Sequence, residues 1–298
     1  MDETPLLVGL VFAFAVLMVY LFGQQSRAPD QVADAINRRM ENSPSRVEPT
    51  LPKEPPPPLP PSPPACDEPK VEPAPSKPPL FSPEIVAKMP ARVLFLDVET
   101  TGLHSDDRIV SLGALTLETE RLVGDNFSVM PLHLVFDPMK KSHREAERVH
   151  GWDDWILRHQ DLFQDHAAEI RAVIDAADLL VAHNASFDVR FIDRELTLAG
   201  LTMPGTPVEC TMRAWRAKGL SRATLNAVCS HLGLARAGDV HGALEDAGLA
   251  MQAWLALHGP GMRLGPIAYP PPTNLKPAPP RPDGALPRRK SRKAPPPV

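Results

Sequence analysis

Asp97 and Glu99 are the residues best suited to chemistry in this chain, and they stand in the stretch Arg92–Leu103, RVLFLDVETTGL. Side chains two apart on a strand point to the same face, so the two carboxylates project together. Held side by side they repel each other, and burying them unpaired costs roughly several kcal/mol. A divalent cation removes that repulsion, which makes the pair a candidate metal site. Taken alone, the pair fits two solvated acids at a strand end better than a metal site. The apolar run Val93–Leu96 reads as a strand buried on both faces. Thr100, Thr101 and Gly102 then turn the chain, and a glycine lets a ligand approach the backbone.

Two further acids lie in similar settings. The run Asp178–Ala182, DLLVA, reads as a buried strand and is followed by HNASFD, which ends at Asp188. Asn184 or Ser186 can cap the helix expected there, placing Asp188 in its first turn, where the helix dipole favours a negative charge. Further on, HGALED carries His241 on a loop and Asp246 about one turn into a helix. The small residues Ala247, Ala250 and Ala253 suit that helix to close packing. Each acid follows a strand–helix junction or opens a helix, where α/β sheets gather functional residues.

FLDVETTGL, HNASFDVRF and HGALEDA resemble the three motifs of the DEDD exonucleases, in the variant with a histidine in the third. The likeness is strongest to the epsilon proofreading subunit of bacterial DNA polymerase III and its relatives. EAERVHG, CTMRAWR and TLNAVCSHLGL are weaker echoes, and the match covers about residues 91–257. The resemblance implies an α/β, ribonuclease H-like domain with a mixed central sheet flanked by helices. It also implies a 3′→5′ exonuclease that releases nucleoside 5′-monophosphates with two divalent cations, Mg²⁺ or Mn²⁺. Hard carboxylate oxygens suit those ions, and two of them can steady the attacking and leaving oxygens of a phosphoryl displacement.

By the same resemblance Asp97 bridges both ions, Glu99 and Asp246 hold one, Asp188 holds the other through water, and His241 takes a proton from the attacking water. Backbone N–H groups of Thr100, Thr101, Gly102 and Leu103 are expected to cradle the terminal nucleotide. Leu103 either wedges between bases or packs in the core, and His150 and Asn184 help to position the substrate. The expected substrate is single-stranded DNA or a 3′ end; the same chemistry on RNA, or a non-catalytic membrane-tethered adaptor that binds nucleic acid or proline-recognising partners, are the alternatives.

The elements that must hold these residues alternate. Strands are expected at Val93–Leu96, Arg108–Leu117, within Asn126–Phe136 and at Asp178–Ala182. Helices are expected at His143–Val149, Asp161–Ala177, Ser186–Ala199, Thr224–Leu232 and Ala243–His258. Arg213, Arg216, Lys218 and Arg222 form a basic run that suits either phosphates or a solvated face. Trp152 and Trp155 suit packing better than base stacking.

Outside this body the composition changes. Of 37 prolines, 17 fall within Pro44–Pro83 and 13 within Pro260–Pro297, so both flanks are expected to be extended and disordered. Leu6–Gly23 is an uncharged apolar run of 18 residues, long enough to span a bilayer core. With an acidic start and Arg27, Arg38 and Arg39 after it, the run reads as a single-pass inner-membrane anchor with the body in the cytoplasm. The expected organisation is an anchor at 1–27, a stalk and Pro-rich linker at 28–83, the exonuclease domain at 84–259 and a basic tail at 260–298. From Arg263 to Lys293 that tail carries eight basic residues against Asp283, a net of +7 that suits anionic lipid or nucleic acid. The whole chain is only mildly acidic at −4, and three scattered cysteines exclude a disulfide framework.

Overall fold

A five-stranded mixed sheet carries the acids. The computed structural model describes residues 81–123, 128–236, 240–259, 264 and 267–289; the expected anchor, stalk and most of the linker lie outside them. The strands are β1 (Arg92–Thr100), β2 (Ile109–Glu118), β3 (Val129–Val135), β4 (Leu179–Ala182) and β5 (Val208–Cys210), in the order β3-β2-β1-β4-β5. β2 runs antiparallel to β1 and β3, while β4 runs parallel to β1 and β5. Among the described helices are α1 (Pro83–Val86), α2 (Arg144–His150), α3 (Asp154–Leu157), α4 (Phe163–Asp175), α5 (Ala185–Leu198), α6 (Thr211–Ala217), α7 (Leu225–Leu232) and α8 (Ala243–His258).

Alternation along β1 sorts its side chains between two cores. Leu94, Leu96 and Val98 pack with Ile170 and Ile174 of α4 and Phe191 and Ile192 of α5. Val93 and Phe95 face α8, where Phe95 meets the Trp254 ring edge-on at 5.5 Å. Asp97 and Glu99 continue this second face, so the period of two places them together as the sequence requires. The strand runs on through Thr100, so the acids lie within it rather than after it. α1, α3, α6 and β5 carried no expectation; all are seven residues or shorter, too short for periodicity to reveal.

The flanks differ from expectation on both sides. Phe81 is fully buried in the α8 core, so the domain begins before residue 84. The described part of the tail is bound to the domain rather than disordered. Leu264 is buried and exchanges hydrogen bonds with Gln252, and Tyr269 packs against Gly248, where a Cβ would collide with its ring. Next the tail covers the outer edge of β3: Thr273 donates to the His133 carbonyl, and Asn274 bonds both the N–H and the C=O of Val135 at 2.9 and 2.8 Å. Beyond that, Lys276, Arg281 and Arg289 pair with Asp161, Asp153 and the buried Asp137 and Asp154. Composition suggested mobility because proline cannot build a sheet, but a sheet edge with unpaired groups gives a stiff chain somewhere to bind. Several of the tail's cations are therefore held by the domain's own carboxylates, not left for lipid or nucleic acid.

Replacing Asn274 by alanine leaves both polar groups of Val135 without their side-chain partner. The Asn274→Ala chain should unfold in urea with a stability lower by about 1–3 kcal/mol; an unchanged midpoint would mean that the bonds from Asn274 to Val135 contribute nothing to the fold.

Candidate functional site

Asp97, Glu99, Asp188 and Asp246 meet at the end of the sheet to which β1 and β4 both point. Asp188 lies in the first turn of α5, buried, and its Oδ1 accepts the Val98 N–H at 3.1 Å, which ties α5 to β1 between the two strand acids. Asp246 lies in the first turn of α8, and its own N–H donates to Gly242. What brings α8 so close is Gly113, the partner of Asp97 across the β1–β2 ladder. A Cβ at Gly113 would run into the backbone of Ala243 and Leu244. Ala247, Ala250 and Ala253 are fully buried against the rest of the fold, as small residues allow.

Glu99, His241 and Asp246 offer ligand atoms that all lie within 4.8 Å of one another. His241 stands on the loop before α8 with Nδ1 3.6 Å from Asp246 Oδ2, and its N–H donates to the Val149 carbonyl. Burial and the nearby Arg236 guanidinium lower its pKa, so the imidazole is neutral at pH 7.

The crowding shows in the carboxyls. Burial, then the charges of Asp188, Asp246 and Glu99, push Asp97 well above the ordinary carboxylate range. Burial and Asp246 push Glu99 up to about 8, and burial pushes Asp188 up to about 8. Arg236 counters the rise at Asp97 and Glu99, as the Val98 N–H does at Asp188: the guanidinium engages both oxygens of Asp246, with Nη2–Oδ2 at 2.9 Å, and its Nε donates to Asn226. A cation binding at Asp246 must draw this fork away or share its oxygens. Hard oxygen donors of concentrated negative charge, with one imidazole, fit Mg²⁺ or Mn²⁺.

The turn after β1 is fastened by Asp107, which the sequence did not single out. Fully buried, Asp107 accepts from Thr101 Oγ1 at 2.7 Å, from the His104 N–H and from Lys140 Nζ, and these bonds hold its carboxyl down at about 2. Thr100 Oγ1 donates to the Gly102 carbonyl, and Gly102 has no room for a side chain beside His143 and Asp107. The N–H of Thr101 donates to the Arg108 carbonyl, so it cannot serve the expected nucleotide cradle. Leu103 is 63% exposed, which rules out the core packing considered for it. A second unsignalled pair, Arg108 with the buried Glu195 at 2.6 and 2.7 Å, ties this turn to α5.

His150 is buried. The Trp152 N–H donates to its Nδ1, which leaves the proton on Nε2, and that atom has no partner among the described residues. Asn184 occupies the N-cap position of α5, yet neither it nor Ser186 makes a side-chain cap; its backbone is left-handed (φ 69°) because the chain turns sharply out of β4. Asn184 is exposed. Arg213, Arg216, Lys218 and Arg222 are solvated, Trp152 packs on Val110, Val135 and Leu157, and Trp155 donates to the Pro279 carbonyl of the tail.

A family model described as exonuclease, of the RNase T kind, matches residues 94–253. The chain belongs to this family of DEDD 3′→5′ exonucleases, which are hydrolases that use divalent metals. Among its relatives are the DNA polymerase III epsilon subunits of Rickettsia prowazekii, 32% identical over 56% of this chain and 74% of that one, and of Escherichia coli K12, 31% identical over 56% and 72%. A solved structure of E. coli ExoI bound to zinc and single-stranded DNA superposes with a TM-score of 0.49 at 18% identity, over 58% of this chain. This chain spans only 42% of that one.

The raised carboxyls set a pH dependence. Glu99 and Asp188 titrate near 8 in the fold but near 4 in an unfolded chain. Between those values the folded state binds the extra protons, so their contribution to stability is lost as pH rises. His150 and His183, lowered by burial to about 4, act in the opposite sense below about 6.5. In EDTA the melting temperature should therefore fall between about pH 6.5 and 8, and fall less steeply in Asp188→Asn. A melting temperature that rises over that window would contradict the carboxyl crowding.

Proposed function

We propose that this chain removes nucleoside 5′-monophosphates one at a time from the 3′ ends of DNA, with Asp97, Glu99, Asp188 and Asp246 holding two divalent cations. The observation that carries the reading is the convergence of these four carboxylates and a neutral imidazole at one end of the sheet. When bound, the cations supply positive charge for the attacking and leaving oxygens of the phosphodiester. His241 turns Nδ1 toward Asp246, which leaves Nε2 as the nitrogen that takes the proton from the attacking water. Asp188 is steadied by the Val98 N–H through one oxygen and keeps the other for an ion or its water.

The substrate end is held by the turn after β1 and by α2. With Thr101 spent on Arg108, the backbone cradle falls to Gly102 and Leu103, and the exposed Leu103 side chain lies against the terminal bases. The buried Nε2–H of His150, without a partner among the described residues, is a donor for the sugar or phosphate of the last nucleotide, and Asn184 stands exposed at the N-cap of the helix that carries Asp188. The epsilon subunits support DNA as substrate, and the ExoI complex was solved with single-stranded DNA.

Asp97→Ala should lower Mg²⁺-dependent digestion of a 3′-labelled DNA strand by more than about a hundredfold, since losing even a supporting partner of a metal ligand costs about 10–100-fold. Equal rates in the two proteins would refute the assignment. Labelled DNA and RNA strands of one sequence decide the sugar preference, and faster digestion of RNA would replace the DNA reading.

Leu6–Gly23 supports a place at the inner membrane, single-pass, with the enzyme facing the cytoplasm. Among the described residues, no helix is long and apolar enough to cross a membrane, and Leu6–Gly23 lies outside them. On fractionation of cells the full chain should sediment with membranes and be released by detergent but not by salt. A chain lacking residues 1–27 should stay in the supernatant; sedimentation of both alike would count against the anchor.

A further inference from the structure

The segment that joins the turn after β1 to the His241 loop carries a second feature. At one end the His143 N–H donates to the Thr101 carbonyl at 2.8 Å, and at the other the Val149 carbonyl accepts from His241 at 2.9 Å. α2 is thus pinned beside the acid cluster by both of the loops that border it. A cleft of about 720 Å³ opens along α2, walled by Lys141, Ser142, Arg144 and Arg148. Residues three and four apart lie on one helix face, so Arg144 and Arg148 stand together, with Lys141 just before them.

Three properties of the cleft select an anion. Lys141, Arg144 and Arg148 are exposed, and none makes an ion pair or hydrogen bond among the described residues. Ser142 is only 6% exposed, lines the cleft and has no partner for its hydroxyl among the described residues. Glu147 and Asp153 also line the wall, but Asp153 is occupied by Arg281 of the tail and by the Trp155 N–H. Three cations therefore face one uncompensated carboxylate. A buried hydroxyl without an acceptor loses stability unless a ligand provides one.

We propose that this cleft binds the phosphodiester backbone of the strand whose 3′ end lies in the acid cluster, with Arg144, Arg148 and Lys141 on successive phosphates and the Ser142 hydroxyl donating to one of them. The assignment rests on the exonuclease reading for its direction, but its test does not need hydrolysis. α2 supplies a sequence-independent grip upstream of the cut, so the strand stays bound while its end is trimmed. The docked tail serves the cleft by neutralising Asp153, which would otherwise repel the backbone.

The test measures binding of fluorescent single-stranded oligonucleotides to the full chain in EDTA, across a range of salt. Each phosphate neutralised on a single strand contributes about 0.7 to the slope of log affinity against log salt. The combined Lys141→Gln, Arg144→Gln and Arg148→Gln chain should therefore lose about 2 from that slope and bind a twelve-nucleotide strand at least about tenfold more weakly at low salt. Arg144→Lys with Arg148→Lys should keep the slope, because charge and not shape sets it. The penalty should grow with strand length. Should the triple variant fail to fold, Arg144→Gln and Arg148→Gln singly should each lose about 0.7. Identical slopes in wild type and variants would overturn the cleft assignment. A penalty that is the same for a dinucleotide as for the long strand, or is abolished by millimolar inorganic phosphate, would reduce it to a site for single phosphates. Failure of Mg²⁺-dependent digestion in the wild type, with the slopes as expected, would instead refute the exonuclease reading and leave the cleft standing.

Discussion

Carboxylates forced together in a poorly solvated space repel one another, and the rest of the domain is organised to tolerate that repulsion. The sheet supplies two of them because alternate residues of β1 share a face. α5 supplies a third from its first turn, where its dipole and the Val98 N–H offset part of the charge. α8 supplies the fourth, again from a first turn. No apolar core would place these groups so close without something in return, and the arrangement is stable because protons, Arg236 or divalent cations can each take up the excess charge. Carboxyls perturbed in this way gather at functional sites.

Support for the acids comes from buried pairs that lie outside the cluster. Arg108 and Glu195 join the turn after β1 to the far half of α5, while Asp107 gathers Thr101, His104 and Lys140 into one knot. Such pairs add little net stability against apolar packing, but breaking one strands a buried charge. Their effect is positional: they keep the turn and α5 in register with the strand, so that Asp188 cannot drift from Asp97.

The acids themselves were legible because period-two alternation and first-turn placement are local properties. Asp97 and Glu99 share a face by parity alone, and Asp188 follows from a strand that ends in a helix start. The supporting pairs were not, since Arg108 and Glu195 are 87 positions apart and neither stands in a distinctive motif. Arg236 precedes the His241 motif with no pattern that foretells its fork on Asp246. Composition misled at the tail: proline content describes a chain without a partner, whereas the edge of β3 provides Val135 and His133 as partners for Asn274 and Pro270. Residue type placed Asn184 at the N-cap, but the side-chain cap it suggested does not form, because the sharp exit from β4 imposes a left-handed backbone there.

Gly113 bears no charge, touches no ligand atom and caps no helix, yet the gap between β2 and α8 is set by its single hydrogen. The span from one strand carboxylate to the helix carboxylate is in this sense fixed by the absence of a side chain. Even a methyl group there would lever α8 away from β2 and one wall of the acid cluster outward, while leaving every acid in the chain. The molecule thus has little tolerance for error at a residue that takes no part in its chemistry.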